Sequence, residues 1–160
     1  MTREPVTAYV GLGANLGDAV ATVQGAIEAL GRLPGTALAA RSSLYRSVPV
    51  DAGGPDFVNA VAAVATRLTA PALLQALQGL EQAAGRERPY RNAPRTLDLD
   101  LLYYGDARLD GPALTVPHPR LAERAFVLVP LAEIAPQRVE AAALAAVAHQ
   151  AIHRLGPGED

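Results

Sequence analysis

The sequence contains no cysteine, which excludes disulfides, thiolate metal sites and a cysteine nucleophile and leaves any metal to carboxylate or imidazole ligands. Hard cations such as magnesium suit that donor set best. Lysine is absent too: all fourteen basic residues are arginine. That removes Schiff-base chemistry and the phosphate-cradling lysine of a P-loop. No run of eighteen apolar residues occurs, and Met1-Thr2-Arg3-Glu4-Pro5 lacks the charged and hydrophobic blocks of a signal peptide, so a soluble, cytoplasmic protein is expected. A net charge of −2 gives no broad basic field, and neither a nucleic acid nor a membrane is an expected partner. Aromatics are few, two Phe and five Tyr, too few for the stacking platform of an RNA-binding sheet.

What is present is apolar residues, half of a 160-residue chain. This suffices for one domain, residues 1–160, with its own core, and we expect a monomer. Thr7 to Leu12 reads as a strand ending in the turn-forming stretch Gly11-Leu12-Gly13-Ala14-Asn15-Leu16-Gly17-Asp18. Val20, Val23, Ile27, Leu30 and Leu33 then recur at helical spacing, with Asp18 or Asn15 as cap and a stop at Pro34-Gly35. Ala37–Ser47 and Phe57–Thr66 suit two strands paired antiparallel. A second helix starts at Thr69 with Pro71 and ends at Gly85, and a strand follows over Thr96–Tyr104. This order is the βαββαβ of a ferredoxin-like, α+β antiparallel sheet with helices on one face. A hairpin after Gly105 and an Ala-rich C-terminal helix from Glu140 to Arg154 complete the expectation.

The most informative stretch is Arg95-Thr96-Leu97-Asp98-Leu99-Asp100-Leu101-Leu102. On a strand, Asp98 and Asp100 point one way and the leucines the other, with the two carboxylates about 7 Å apart at Cβ. Paired metals in phosphoryl-transfer sites lie roughly 3.5 to 4 Å apart, so this spacing can bracket two magnesium ions. A solvated outer face is the bland alternative. Its weight falls because Arg86, Arg88, Arg91 and Arg95 immediately precede the strand, opposed in that window only by Glu87. A triphosphate with magnesium satisfies both clusters at once, arginine's planar fork being suited to phosphate. Pro89 and Pro94 favour an ordered but movable flap there.

His118 stands between Pro117 and Pro119, held for a phosphate oxygen together with Arg124, or else serving as a cap. Phe57 and Asn59 share a strand face, an aromatic plate beside an amide, which suits a flat heterocycle as well as it suits core. Gly11-Leu12-Gly13 is not a dinucleotide loop, because Leu16 occupies the third glycine position.

With these motifs, the chain resembles the 6-hydroxymethyl-7,8-dihydropterin pyrophosphokinases from about Tyr9 to Pro136. The carrying segments are Gly11-Leu12-Gly13-Ala14-Asn15-Leu16-Gly17, Ser43-Leu44-Tyr45-Arg46-Ser47, Phe57-Val58-Asn59-Ala60, Glu81 with Gly85-Arg86, Pro94-Arg95-Thr96-Leu97-Asp98-Leu99-Asp100, and Val116-Pro117-His118 with Arg124-Ala125-Phe126. The resemblance implies transfer of pyrophosphate from ATP to the hydroxymethyl group of the pterin, releasing AMP, in folate biosynthesis. It implies two Mg²⁺ ions on Asp98 and Asp100, with Arg86, Arg95, His118 and Arg124 on the phosphates and Arg86 and Arg95 counted with the aspartates as catalytic. It implies a pterin held by Phe57 and Phe126, read by Asn59, and closed by groups near Ser47 and Val48. The nucleoside side falls to Leu101 and Thr115, with Glu81, Arg88 and Arg91 nearby. Asn92 replaces a tryptophan of some members, Pro119 an aromatic, and a common flap lysine is missing. A binding module on the same kind of sheet and a pseudoenzyme are the competing readings; the intact carboxylate pair argues against both.

Overall fold

The computed structural model describes residues 4–48, 56–85 and 97–156. β1 (Val6–Ala14) sends Ala8, Val10, Leu12 and Ala14 into one core and Tyr9 into another, as strand alternation requires when both faces of a sheet are covered. Gly17, at φ 61°, turns the chain toward α1 (Ala19–Leu30), whose first turn is capped by the Asp18 carboxylate accepting the Ala21 N–H at 3.1 Å. Val23, Ala26, Ile27 and Leu30 form its buried stripe.

The segment expected as one strand over Ala37–Ser47 is two, β2 (Thr36–Arg41) and β3 (Tyr45–Ser47), which lie one after the other along β4 (Phe57–Thr66), both antiparallel to it. The break is chemical. The Ser42 N–H donates to the Val61 carbonyl at 2.9 Å while its Oγ accepts the Val61 N–H at 3.0 Å. Ser43 then turns its own N–H away to the Glu133 carboxylate. α2 (Ala70–Gly85) starts, as expected, at Thr69, whose Oγ1 accepts the Ala72 N–H at 3.2 Å. Leu73 and Leu77 bury it against the sheet. β5 (Asp98–Tyr104) pairs antiparallel with β1. The resulting order, β5-β1-β4 followed by β2 and β3, is the ferredoxin-like βαββαβ arrangement of an α+β sheet. β6 (Leu109–Asp110) and β7 (Thr115–Val116) form the expected hairpin.

Two further expectations need correction. Helices cover both sheet faces: α1 and α2 pack on one, and α3 (Ala125–Ile134) with α4 (Ala141–Ala146) on the other. Residues 125–134 are apolar almost all round, so no helical period marks them in the sequence. The C-terminal helix over Glu140–Arg154 is only α4, and Ile152–Arg154 form β8, antiparallel to β3. Alanine favours helix locally but offers little surface to bury. Gln150 is pulled instead to the start of α3, where Oε1 accepts the Ala125 N–H and Nε2 donates to the Glu123 carbonyl, both at 2.9 Å.

Among the described residues no helix is long and apolar enough to cross a membrane. Leu73 is fully buried between α2 and the sheet. We expect Leu73→Ala to lower unfolding free energy by about 2–5 kcal/mol, measurable as an earlier urea midpoint.

Candidate active site

Along the α3 face of β1 the side chains run Tyr9, Gly11, Gly13. Tyr9 is covered: its ring meets Tyr103 edge-on at 6.1 Å, and the Arg138 guanidinium lies over both rings, at 5.4 Å and 4.5 Å. Arg138 is tied down by the Gly105 carbonyl and the Asp106 carboxylate, each at 3.1 Å. Beyond Tyr9 the central strand has no side chains on this face. Gly13 is in register with Asp98 of β5 on one side and Asn59 of β4 on the other; Gly11 lies between Asp100 and Val61. Two strand spacings, about 10 Å, separate the carboxylates from the amide across this bare floor. The spacing of two residues between the glycines is the signal for this floor in the sequence, where Gly11-Leu12-Gly13 reads as a turn-forming stretch and a family motif and not as a strand floor.

Asp98 and Asp100 share the α3 face, as strand alternation predicts, because Leu97, Leu99 and Leu101 are packed into the α1–α2 core. Arg124 Nη1 stands 3.7 Å from Asp100 Oδ2, and His118 Nε2 stands 3.9 Å from Asp100 Oδ1. The His118 ring is oriented from behind: its Nδ1 accepts the Arg120 N–H at 3.2 Å, so the ring proton of the neutral form sits on Nε2, toward Asp100. Its main-chain N–H donates to the Leu102 carbonyl at 3.0 Å, anchoring the loop to β5. Burial holds the imidazole below its ordinary pKa, Asp100 opposing this and Arg124 and Arg120 reinforcing it. Near neutral pH it is therefore an uncharged Nε2–H donor.

Asn59 is buried, and its Oδ1 accepts the Ser47 hydroxyl at 2.6 Å. That bond fixes the amide and leaves its NH₂ donors for another partner. The amide and the Phe57 ring lean over Gly13: a Cβ there would lie 3.0 Å from Asn59 Nδ2 and 3.9 Å from Phe57 Cδ1. Phe126 projects from the first turn of α3, with the Arg124 guanidinium 5.4 Å from its ring centroid. Val48 is exposed just beyond Ser47.

Other candidates sit elsewhere. The Leu101 side chain is core, so any nucleotide contact falls to its main chain. Glu81 reaches β5 from α2, its Oε2 accepting the Leu99 N–H at 2.8 Å, between the two aspartates. Thr115 lies on β7, its hydroxyl donating to the Gly111 carbonyl at 3.4 Å. Arg86, Arg88, Arg91 and Arg95, with Asn92, fall outside the described residues.

Paired carboxylates beside an arginine and a neutral histidine, on the same sheet face as Asn59 and Phe57, have the chemistry that the phosphoryl-transfer class of enzymes uses. Residues 9–136 match the family model of the 7,8-dihydro-6-hydroxymethylpterin-pyrophosphokinases. The chain is 51% identical over 129 residues to the 2-amino-4-hydroxy-6-hydroxymethyldihydropteridine pyrophosphokinase of Pseudomonas aeruginosa, covering 80% of each chain. It is 47% identical to the enzyme of that name from Synechocystis, covering 83% of this chain and 68% of that one. Among solved structures, HPPK-DHPS of Plasmodium falciparum aligns with a TM-score of 0.65 at 16% identity, over 82% of this chain and 41% of that longer one, a likeness of fold. The chain belongs to the 7,8-dihydro-6-hydroxymethylpterin-pyrophosphokinase family, whose members are ATP-dependent diphosphokinases.

Proposed function

We propose that this protein transfers the β,γ-pyrophosphate of ATP to the hydroxymethyl group of 6-hydroxymethyl-7,8-dihydropterin and releases AMP. The observation that carries the reading is the register itself: Asp98 and Asp100 on one side of a glycine floor, Asn59 and Phe57 on the other. Phe57 and Phe126 flank the pterin, and Asn59 donates to its hydrogen-bonding edge. The buried Ser47–Asn59 bond preorganises that amide, so its orientation is set before substrate arrives. Arg124 and the His118 Nε2–H meet phosphate oxygens, and the flap arginines add charge from outside the described residues.

Asp98 and Asp100 fit magnesium by their chemistry: hard oxygen donors on one face. Among the described residues, Asp98 and Asp100 are the side chains that would hold it. Bound there, Mg²⁺ neutralises charge on the phosphate oxygens. The hydroxymethyl oxygen forms its bond to the β-phosphorus as the bond to the α,β-bridging oxygen breaks; AMP takes up that electron pair, and the hydroxyl proton passes to solvent. The chain contributes position and electrostatics, and no covalent intermediate on a side chain is involved.

AMP is expected to appear only when ATP, Mg²⁺ and the pterin are all present, and to vanish with excess chelator. ADP as product, or AMP without pterin, would overturn the reading.

A further inference from the structure

Glu133 lies two helical turns from Phe126 on α3, outside every motif that the site uses. Its carboxylate accepts the Ser43 N–H at 3.0 Å and 3.1 Å, the Ser43 hydroxyl at 2.9 Å and the Tyr45 hydroxyl at 2.7 Å. Arg154 Nη2 of β8 approaches the same group at 3.5 Å. Burial alone would raise the carboxyl's pKa, but the bonds from Tyr45 and Ser43 and the charge of Arg154 outweigh it and hold it below its ordinary value. The Tyr45 phenol is raised by burial and by the same carboxylate. Both shifts report one charged, hydrogen-bonded group.

What this group joins matters more than its own chemistry. Tyr45 is the register partner of Asn59, and Ser47, two residues on, holds the Asn59 amide. β3 is only three residues long and follows a break in the ladder; its pairing with β4 and β8 holds it within the sheet, and Glu133 is what ties it to α3. At the other end of the clamp, α3 carries Phe126. We propose that Glu133 is a positioning residue for the heterocycle slot, clamping the strand that orients Asn59 to the helix that bears Phe126 and so setting the separation of the slot's walls. The inference rests on the pterin reading above and adds a residue that touches neither substrate.

The test is a pair of titrations in the presence of Mg²⁺, one with a non-hydrolysable ATP analogue alone and one adding the pterin to the enzyme–analogue complex. Losing charge-assisted bonds at this clamp should weaken pterin binding roughly tenfold in Glu133→Gln, with analogue affinity changed less than about twofold and KM for pterin rising more than kcat falls. Unchanged pterin affinity, or equal loss for both ligands, would overturn the clamp, since a merely structural role predicts one or the other. Ser43→Ala, which removes one bond and keeps the charge, should give a smaller loss of the same selectivity; it decides the matter if Glu133→Gln fails to fold. Failure of the unsubstituted protein to bind the pterin would instead sink the parent reading.

Discussion

Asp100→Ala is expected to lower AMP formation on the order of a thousandfold while leaving the thermal midpoint nearly unchanged. The two parts follow from the same geometry. The Asp100 side chain is 41% exposed, and its polar neighbours, the Arg124 guanidinium and the neutral His118 imidazole, lie at 3.7 Å and 3.9 Å. Pairs of that length and exposure contribute little to folding. In the proposed reaction the residue has a different part: its carboxylate would help hold the Mg²⁺ that neutralises the triphosphate. Asp98→Ala should behave alike, because the two carboxylates project from one face of β5. Steady-state AMP release at saturating ATP and Mg²⁺ checks both, and near-normal turnover in either variant would remove the carboxylates from the mechanism.

Gly13→Val should weaken pterin recognition selectively, raising the pterin dissociation constant by about two powers of ten with the ATP analogue still bound. The backbone there tolerates valine: Gly17, Gly35 and Gly105 have positive φ, and Gly13 does not. Valine also suits a strand. The obstruction is spatial, since the first added carbon would lie 3.0 Å from Asn59 Nδ2 and the γ-methyls would stand on the floor that separates the amide from the carboxylates. Gly13→Ala should give a smaller effect in the same direction, by pushing the amide a few tenths of an ångström from its bond to Ser47. A titration with pterin in the presence of the analogue decides it: wild-type affinity in Gly13→Val would mean that the heterocycle does not lie on β1.

Much of this site is legible in the chain because it depends on local periodicity. Alternation over Leu97–Leu101 dictates that Asp98 and Asp100 share a face wherever the strand lies, and the caps at Asp18 and Thr69 are local hydrogen bonds. The readings that failed depended on distant partners. Residues 141–154 have helical composition, yet Ile152–Arg154 became a strand because β3 had a free edge and Gln150 a task at α3. Ala37–Ser47 has the composition of one strand, yet Ser42 and Ser43 leave the ladder to meet Val61 and a glutamate ninety positions away.

By itself, then, the sequence determined the order of the βαββαβ core, the shared face of the two carboxylates and the exclusion of cysteine and lysine chemistry, since these follow from residue type and short spacing. Only the tertiary structure decided that Gly11 and Gly13 form the floor between Asp98 and Asn59, that His118 presents Nε2–H toward Asp100, and that Glu133 joins the two walls. Each of those depends on register between strands or on a contact between residues far apart in the chain, where no local pattern carries the information.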